Sequence, residues 1–135
     1  MISKQKMVGL AGEYMVCAEL CKLELNCIPV NETCAYDIVL DYGRLLKVQV
    51  KTSNYSTHNH GIKFAVCRRG YNHNTTYEKR DVDLFALVWL AGNKIAYLPF
   101  EEVNKWKKTI RFEEFDLYTL DRALSMIEGR VAEKQ

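Results

Sequence analysis

Near the amino end, Met7, Leu10, Ala11, Tyr14, Cys17, Ala18, Cys21 and Leu25 recur at steps of three and four residues. That period predicts an amphipathic helix over about residues 4–25, closed by Asn26 and Pro29. The period then falls to two. In Leu46-Lys47-Val48-Gln49-Val50-Lys51 the apolar and polar positions alternate, so Leu46, Val48 and Val50 face a core while Gln49 and Lys51 share the opposite face. The preceding run Tyr36–Asp41 reads as its hairpin partner, with Tyr42-Gly43-Arg44 as a three-residue loop. In that register Asp41 pairs with Leu45 and Val39 with Lys47, which sets Asp37 opposite Gln49, with Cβ atoms about 5 Å apart.

Beyond the hairpin, Thr52 to Gly61 reads as a polar loop and Ile62–Cys67 as a third strand. Arg68 to Arg80 is polar and basic, without apolar periodicity. Leu84 to Leu90 is continuously apolar and is followed by Ala91-Gly92-Asn93 and Lys94–Leu98, which predicts a second hairpin of buried strands, although periodicity alone leaves a helix open for the first run. Pro99 ends the sheet, Glu101 to Lys108 reads as a short helix, and Leu120 to about Val131 as a final helix with Leu120, Leu124 and Ile127 on one face. There are no internal repeats or low-complexity tracts.

Composition narrows the picture. At 135 residues the chain is one domain with a core of its own. A net charge of +2 is too small to mark a nucleic-acid binder by itself, so basic surface has to come from local clustering. The five cysteines form no C-x-x-C pair. Cys17 and Cys21, four apart on the helix stripe, read as buried small hydrophobes rather than zinc ligands or disulfide partners. The expected compartment is reducing. No apolar run approaches the ~20 residues that span a bilayer, and the amino end is not signal-like; the expectation is an intracellular, cytoplasmic protein without a membrane partner.

The candidate chemistry gathers on the first hairpin. Phosphodiester hydrolysis requires a metal to polarise the phosphate, an in-line water and a group to manage protons. Asp37, the Gln49 amide oxygen and the Val50 backbone carbonyl offer hard oxygen ligands suited to Mg2+, with Mn2+ able to substitute. Glu13 lies beside the helix stripe with Val16, Cys17 and Leu20 as neighbours, an enclosure that usually comes with a partner; a solvated helix-flank glutamate is the plain reading, and the Gly9-Leu10-Ala11-Gly12 before it is what favours a place in the ligand set. Lys51 is placed to orient or help deprotonate water, or to offset charge developing on phosphorus. Ser53, two further along the same face, is a candidate phosphate contact. Taken singly, a turn-capping aspartate, an exposed strand glutamine and a solvated lysine are ordinary; their joint placement carries the reading. His58-Asn59-His60 spells the name of another nuclease class, but three adjacent letters do not form its ββα-metal unit, and with His73 they read as loop residues.

An acid on one strand followed by Gln-x-Lys on the next, here Tyr36-Asp37 and Gln49-Val50-Lys51, resembles the PD-(D/E)XK nuclease superfamily. The likeness extends to Gly9-Leu10-Ala11-Gly12-Glu13, similar to its G-x-x-G-E helix, and to Asp81-Val82-Asp83 and the Tyr97-Leu98-Pro99 strand end. It covers roughly residues 8 to 103 and looks most like the group I intron-encoded homing endonuclease branch, which tolerates Gln at this position. The resemblance implies an α/β (α+β) fold with a PD-(D/E)XK nuclease-like core: an amino-terminal helix on a mixed central sheet with hairpins, then carboxy-terminal helices. It further implies a metal-dependent endonuclease cutting a specific double-stranded DNA site, of prokaryotic or phage origin, assembled as a dimer or tetramer. Gln49 in place of a carboxylate removes one negative charge, which implies weaker metal binding and leaves the number of ions open.

For DNA contact the basic stretch offers Lys63, Arg68, Arg69, Lys79 and Arg80, interleaved with Tyr71, Asn72, His73, Asn74 and Tyr77. A second cluster, Lys105, Lys107, Lys108 and Arg111 around Trp106, reads equally as oligomer contact, plain surface or DNA contact. One site cuts one strand, so duplex cleavage calls for at least a dimer matched to a two-fold target, with the carboxy-terminal helix as candidate interface. Two other readings stand beside this one: a Holliday-junction resolvase, acting on branched DNA with the same core, and a nuclease-derived DNA-binding module that no longer cuts.

Overall fold

The structure, a computed structural model, describes residues 3–30, 34–55, 60–68, 73–103 and 106–133. Helix α1 spans Lys4–Lys22. It starts where Ser3 caps it, the Ser3 hydroxyl accepting from the Lys6 N–H at 3.2 Å, and it stops at Leu23 and Glu24, the latter with a positive φ of 61°. Strands β1 (Asn26–Pro29), β2 (Ile38–Asp41) and β3 (Leu45–Ser53) then form an antiparallel meander. A crossover holding β4 (Gly61–Ala65), β5 (Cys67–Arg68) and β6 (Thr75–Thr76) leads to β7 (Leu84–Trp89), which returns parallel to β3. β8 (Lys94–Pro99) pairs antiparallel with β7, giving a mixed sheet of order β1-β2-β3-β7-β8. The chain closes with β9 (Lys107–Arg111) and helix α2 (Leu120–Glu133).

Both faces of the sheet are covered. On one, Val16 and Leu20 of α1 and Leu120, Ala123, Leu124 and Ile127 of α2 pack against Ile38, Leu46, Val48, Val50 and Tyr97. On the other, β4 and β9 pair as a separate antiparallel ribbon, and Ile62, Phe64 and Ile110 cover Phe85, Leu87 and Leu98. A strand covered on both faces loses its polar alternation, which is why Leu84–Val88 is apolar at every position and buried throughout.

The hairpin register agrees with the alternation: Asp41 faces Leu45, Val39 faces Lys47 and Ile38 faces Val48. Gly43, at φ 75°, takes the left-handed turn position that favours glycine. The second hairpin also stands, as strands and not a helix. Four expectations need correction. The buried stripe of α1 runs through Gly12, Val16 and Leu20, whereas Met7, Tyr14, Ala18 and Cys21 are exposed, so Cys21 is not a core thiol. Asn26–Pro29 continues as an edge strand, where a proline does no harm because an edge leaves N–H groups unpaired. Residues 101–108 are not one helix: a short 3-10 turn, Phe100–Glu102, precedes strand β9, which faces β4 by turning Ile110 inward. The apolar face of α2 is spent on the chain's own core, which removes it as the candidate interface.

Candidate active site

The site is built where β2, β3 and α1 meet. Asp37 extends the ladder one residue past β2: its N–H donates to the Val48 carbonyl at 2.9 Å and its own carbonyl accepts from the Val30 N–H at 3.0 Å. That places Asp37 beside Gln49, as the register requires. Its Oδ2 accepts from the Gln49 Nε2 at 2.8 Å and from the Val50 N–H at 2.9 Å. α1 brings the second carboxylate. Gly12 lies so close to β3 that an added Cβ would stand 2.9 Å from both Cβ and Cγ2 of Thr52 and strike its hydroxyl. That approach lets the next residue, Glu13, hydrogen-bond with the Asp37 carboxyl.

Burial pushes the Asp37 carboxyl above the ordinary 3.8 of an aspartate. The Val50 N–H, the charge of Lys51 and the hydrogen bond with Glu13 oppose that rise without cancelling it. Lys51 stands two residues beyond Gln49 on the same face. Its ammonium donates to the Cys67 carbonyl at 3.1 Å and lies 5.1 Å from the centre of the Tyr77 ring.

Do these residues suit a divalent cation? The Gln49 Nε2 donates both to Asp37 Oδ2, at 2.8 Å, and to the Val50 carbonyl, at 3.2 Å. Two oxygens therefore converge on one positively polarised group, with Glu13 at the rim. A cation at that convergence meets a carboxylate and a carbonyl already aimed at it, so the donor set fits. The amide presents nitrogen here, and its oxygen would join the set by a half-turn about the terminal torsion. Among the described residues no cluster of three or more His, Cys, Asp and Glu forms a metal site.

The other candidates are dispersed. Ser53 is 6% exposed, and its hydroxyl accepts from the Tyr55 N–H at 3.4 Å, so it offers no outward phosphate contact. Lys63, Arg68 and His73 are exposed. Lys79 pairs with Glu101, and the Arg80 Nε pairs with Glu78 at 2.8 Å. Arg69, Tyr71 and Asn72 lie outside the described residues, as do His58, Asn59 and Lys105. Tyr77, grouped above with the DNA-facing loop residues, is buried instead. Asp83 is structural: its carboxylate accepts from the Lys47 N–H at 2.9 Å and so fastens the start of β7 to β3. No spacing in the sequence marks Cys67 or Tyr77 as neighbours of Lys51, because the crossover fold alone brings them together.

A mixed sheet with an acid, a Gln-x-Lys strand and a helix-borne glutamate at one corner defines a nuclease core. The chain belongs to the PD-(D/E)XK endonuclease family, whose model matches residues 3–120. Among solved structures, a bacterial homing endonuclease, I-Ssp6803I, superposes with a TM-score of 0.76 at 20% sequence identity, covering 98% of this chain and 99% of that one. At that identity the likeness speaks for the fold. No curated protein sequence matches. The protein is thus a nuclease, of a family that generally uses divalent metals. No helix among the described residues is long and apolar enough to cross a membrane.

Proposed function

We propose that this nuclease hydrolyses phosphodiester bonds at a specific double-stranded DNA site, in the manner of a homing endonuclease, with Mg2+ as its ion and Mn2+ able to substitute. The observation that carries the reading is the convergence of Asp37 Oδ2 and the Val50 carbonyl on one donor, with the Lys51 ammonium on the same face. Asp37 and the Val50 carbonyl would hold the ion, with Gln49 through its oxygen and Glu13 completing the set. When bound, the ion supplies Lewis-acid polarisation of the phosphate. Lys51 holds the attacking water in line and offsets charge developing on phosphorus. Asp37 would hold the ion as a carboxylate, the form that its burial disfavours and that a bound cation would favour.

DNA approaches along the exposed basic residues. Lys63 points outward from β4, and its outward neighbours on β9 are Lys107, Thr109 and Arg111. Arg68 ends β5 and His73 lies between β5 and β6. Lys79 and Arg80 are exposed as well; their ion pairs with Glu101 and Glu78 are weak and can exchange for phosphate. Because one site cuts one strand, the working enzyme is a homodimer or a tetramer. The test is cleavage of a plasmid library and of synthetic four-way junctions with Mg2+ and Mn2+. Discrete linear products support site-specific duplex cleavage, junction-only nicking would point to a resolvase, and binding without cutting would point to a non-catalytic module.

A further inference from the structure

Lys51 has a long flexible stem, and a catalytic ammonium at its end is effective only where something holds it in one place. Three features supply that restraint, the first two from the crossover. The first is the Cys67 carbonyl of β5, which accepts from the ammonium at 3.1 Å. The second is the ring of Tyr77, just past β6, with its centre 5.1 Å from the same nitrogen, inside the ~6 Å range of a cation–π contact. The third is what backs that ring. Tyr77 packs edge-on against Phe85 at 5.6 Å, and Phe85 stacks on Phe100 at 6.3 Å. Phe85 is also the register partner of Gln49 on the neighbouring strand. The pairing of Cys67 with Thr76 joins the two restraints in one small hairpin.

We propose that Tyr77, braced by Phe85 and working with the Cys67 carbonyl, is a positioning residue that fixes the Lys51 ammonium for strand cleavage. The proposal rests on the reading of Lys51 as catalytic. The ring does the work, not the hydroxyl: the phenol is pushed up to about 12 by burial and then by the charge of Asp37, so it stays neutral. Tyr77 touches no substrate in this scheme, and its effect passes entirely through Lys51.

Two measurements test this. In the wild-type protein, 13C-labelled lysine side chains are observed by NMR, with Lys51 assigned by its loss in Lys51→Ala. An aromatic face close to the ammonium shifts the Lys51 Cε protons upfield; the shift should be lost in Tyr77→Leu and restored in Tyr77→Phe. A wild-type Lys51 signal at the position of exposed lysines would overturn the proposal without any variant. The second measurement is the single-turnover cleavage rate at saturating DNA, with DNA affinity measured separately in Ca2+. Tyr77→Leu should lower the rate about tenfold at unchanged affinity, Tyr77→Phe should recover most of it, and Phe115→Leu, which loosens the same core at its contact with Phe64 and outside the Tyr77–Phe85–Phe100 stack, should leave it within about twofold. A Phe115→Leu loss equal to that of Tyr77→Leu would show general loosening and sink the proposal. Full cleavage by Lys51→Ala would instead refute the catalytic reading of Lys51 itself, an outcome separate from the NMR result.

Discussion

Asp37 is held by its backbone, with Val48 on one side and Val30 on the other, and its carboxyl is then partly enclosed. The raised proton affinity has a definite thermodynamic sign. A carboxyl that binds its proton more tightly folded than unfolded adds stability below about pH 3.8, and that contribution is lost as pH rises through the higher folded value. At neutral pH the ionised group therefore costs stability in metal-free protein. Asp37→Asn should melt higher than wild type in EDTA at pH 7, with the gap shrinking toward pH 3.5; thermal melts across that range give the answer, and a pH-independent gap would contradict it. Divalent ions should reverse the order by stabilising only the wild type. Lys51→Ala should retain DNA affinity in Ca2+ and lose about 10²- to 10⁴-fold in cleavage rate. Much of this corner was legible in the sequence, because alternation along residues 46–51 and the glycine-containing loop set the register that puts Asp37 against Gln49. The contacts of Lys51 were not, since Cys67 and Tyr77 reach it only through the crossover.

At the level of elements, α1 shows where pattern reading goes astray. Its apolar residues lie on more than one side, and the exposed stripe through Met7 and Tyr14 is as regular as the buried one. What decides the buried face is Gly12, which a hydrophobic count ignores but which alone lets the helix settle onto Thr52. Gly12→Ala should cost about 1–3 kcal/mol by overpacking and should slow cleavage as well, because it shifts Glu13 away from Asp37; Gly9→Ala, with open space around it, should do neither. Urea unfolding alongside cleavage rates distinguishes the two glycines. The crossover was the least legible part. β9 contributes one inward apolar residue, Ile110, beside its exposed polar ones, and a two-strand ribbon of that kind leaves almost no periodic signal. The apolar run at Leu84–Trp89, by contrast, was readable because a doubly covered strand has to be apolar at every position.

For the whole molecule, the scaffold sets the Asp37 corner at one end of a sheet covered on both faces, and under the proposed function DNA recognition falls to exposed basic residues on the ribbon and the β5–β6 hairpin. Replacing Lys63 and Arg68 by Ala should weaken binding across all sequences and lower the salt slope by about one for each phosphate that is no longer neutralised, while the rate at saturating DNA holds. Light scattering after size exclusion should give a dimer or tetramer mass; a monomer under cleavage conditions would refute the assembly. If Asp37, Gln49 and Lys51 form one metal-dependent cutting site, a single plasmid assay should show it. Supercoiled plasmid carrying candidate target DNA is incubated with wild type, Asp37→Asn and Lys51→Ala, each with Mg2+, Ca2+ or EDTA. Wild type should give discrete linear product with Mg2+ only, and neither variant should give any above background. Equal cleavage by the variants, or cleavage in EDTA, would rule such a site out.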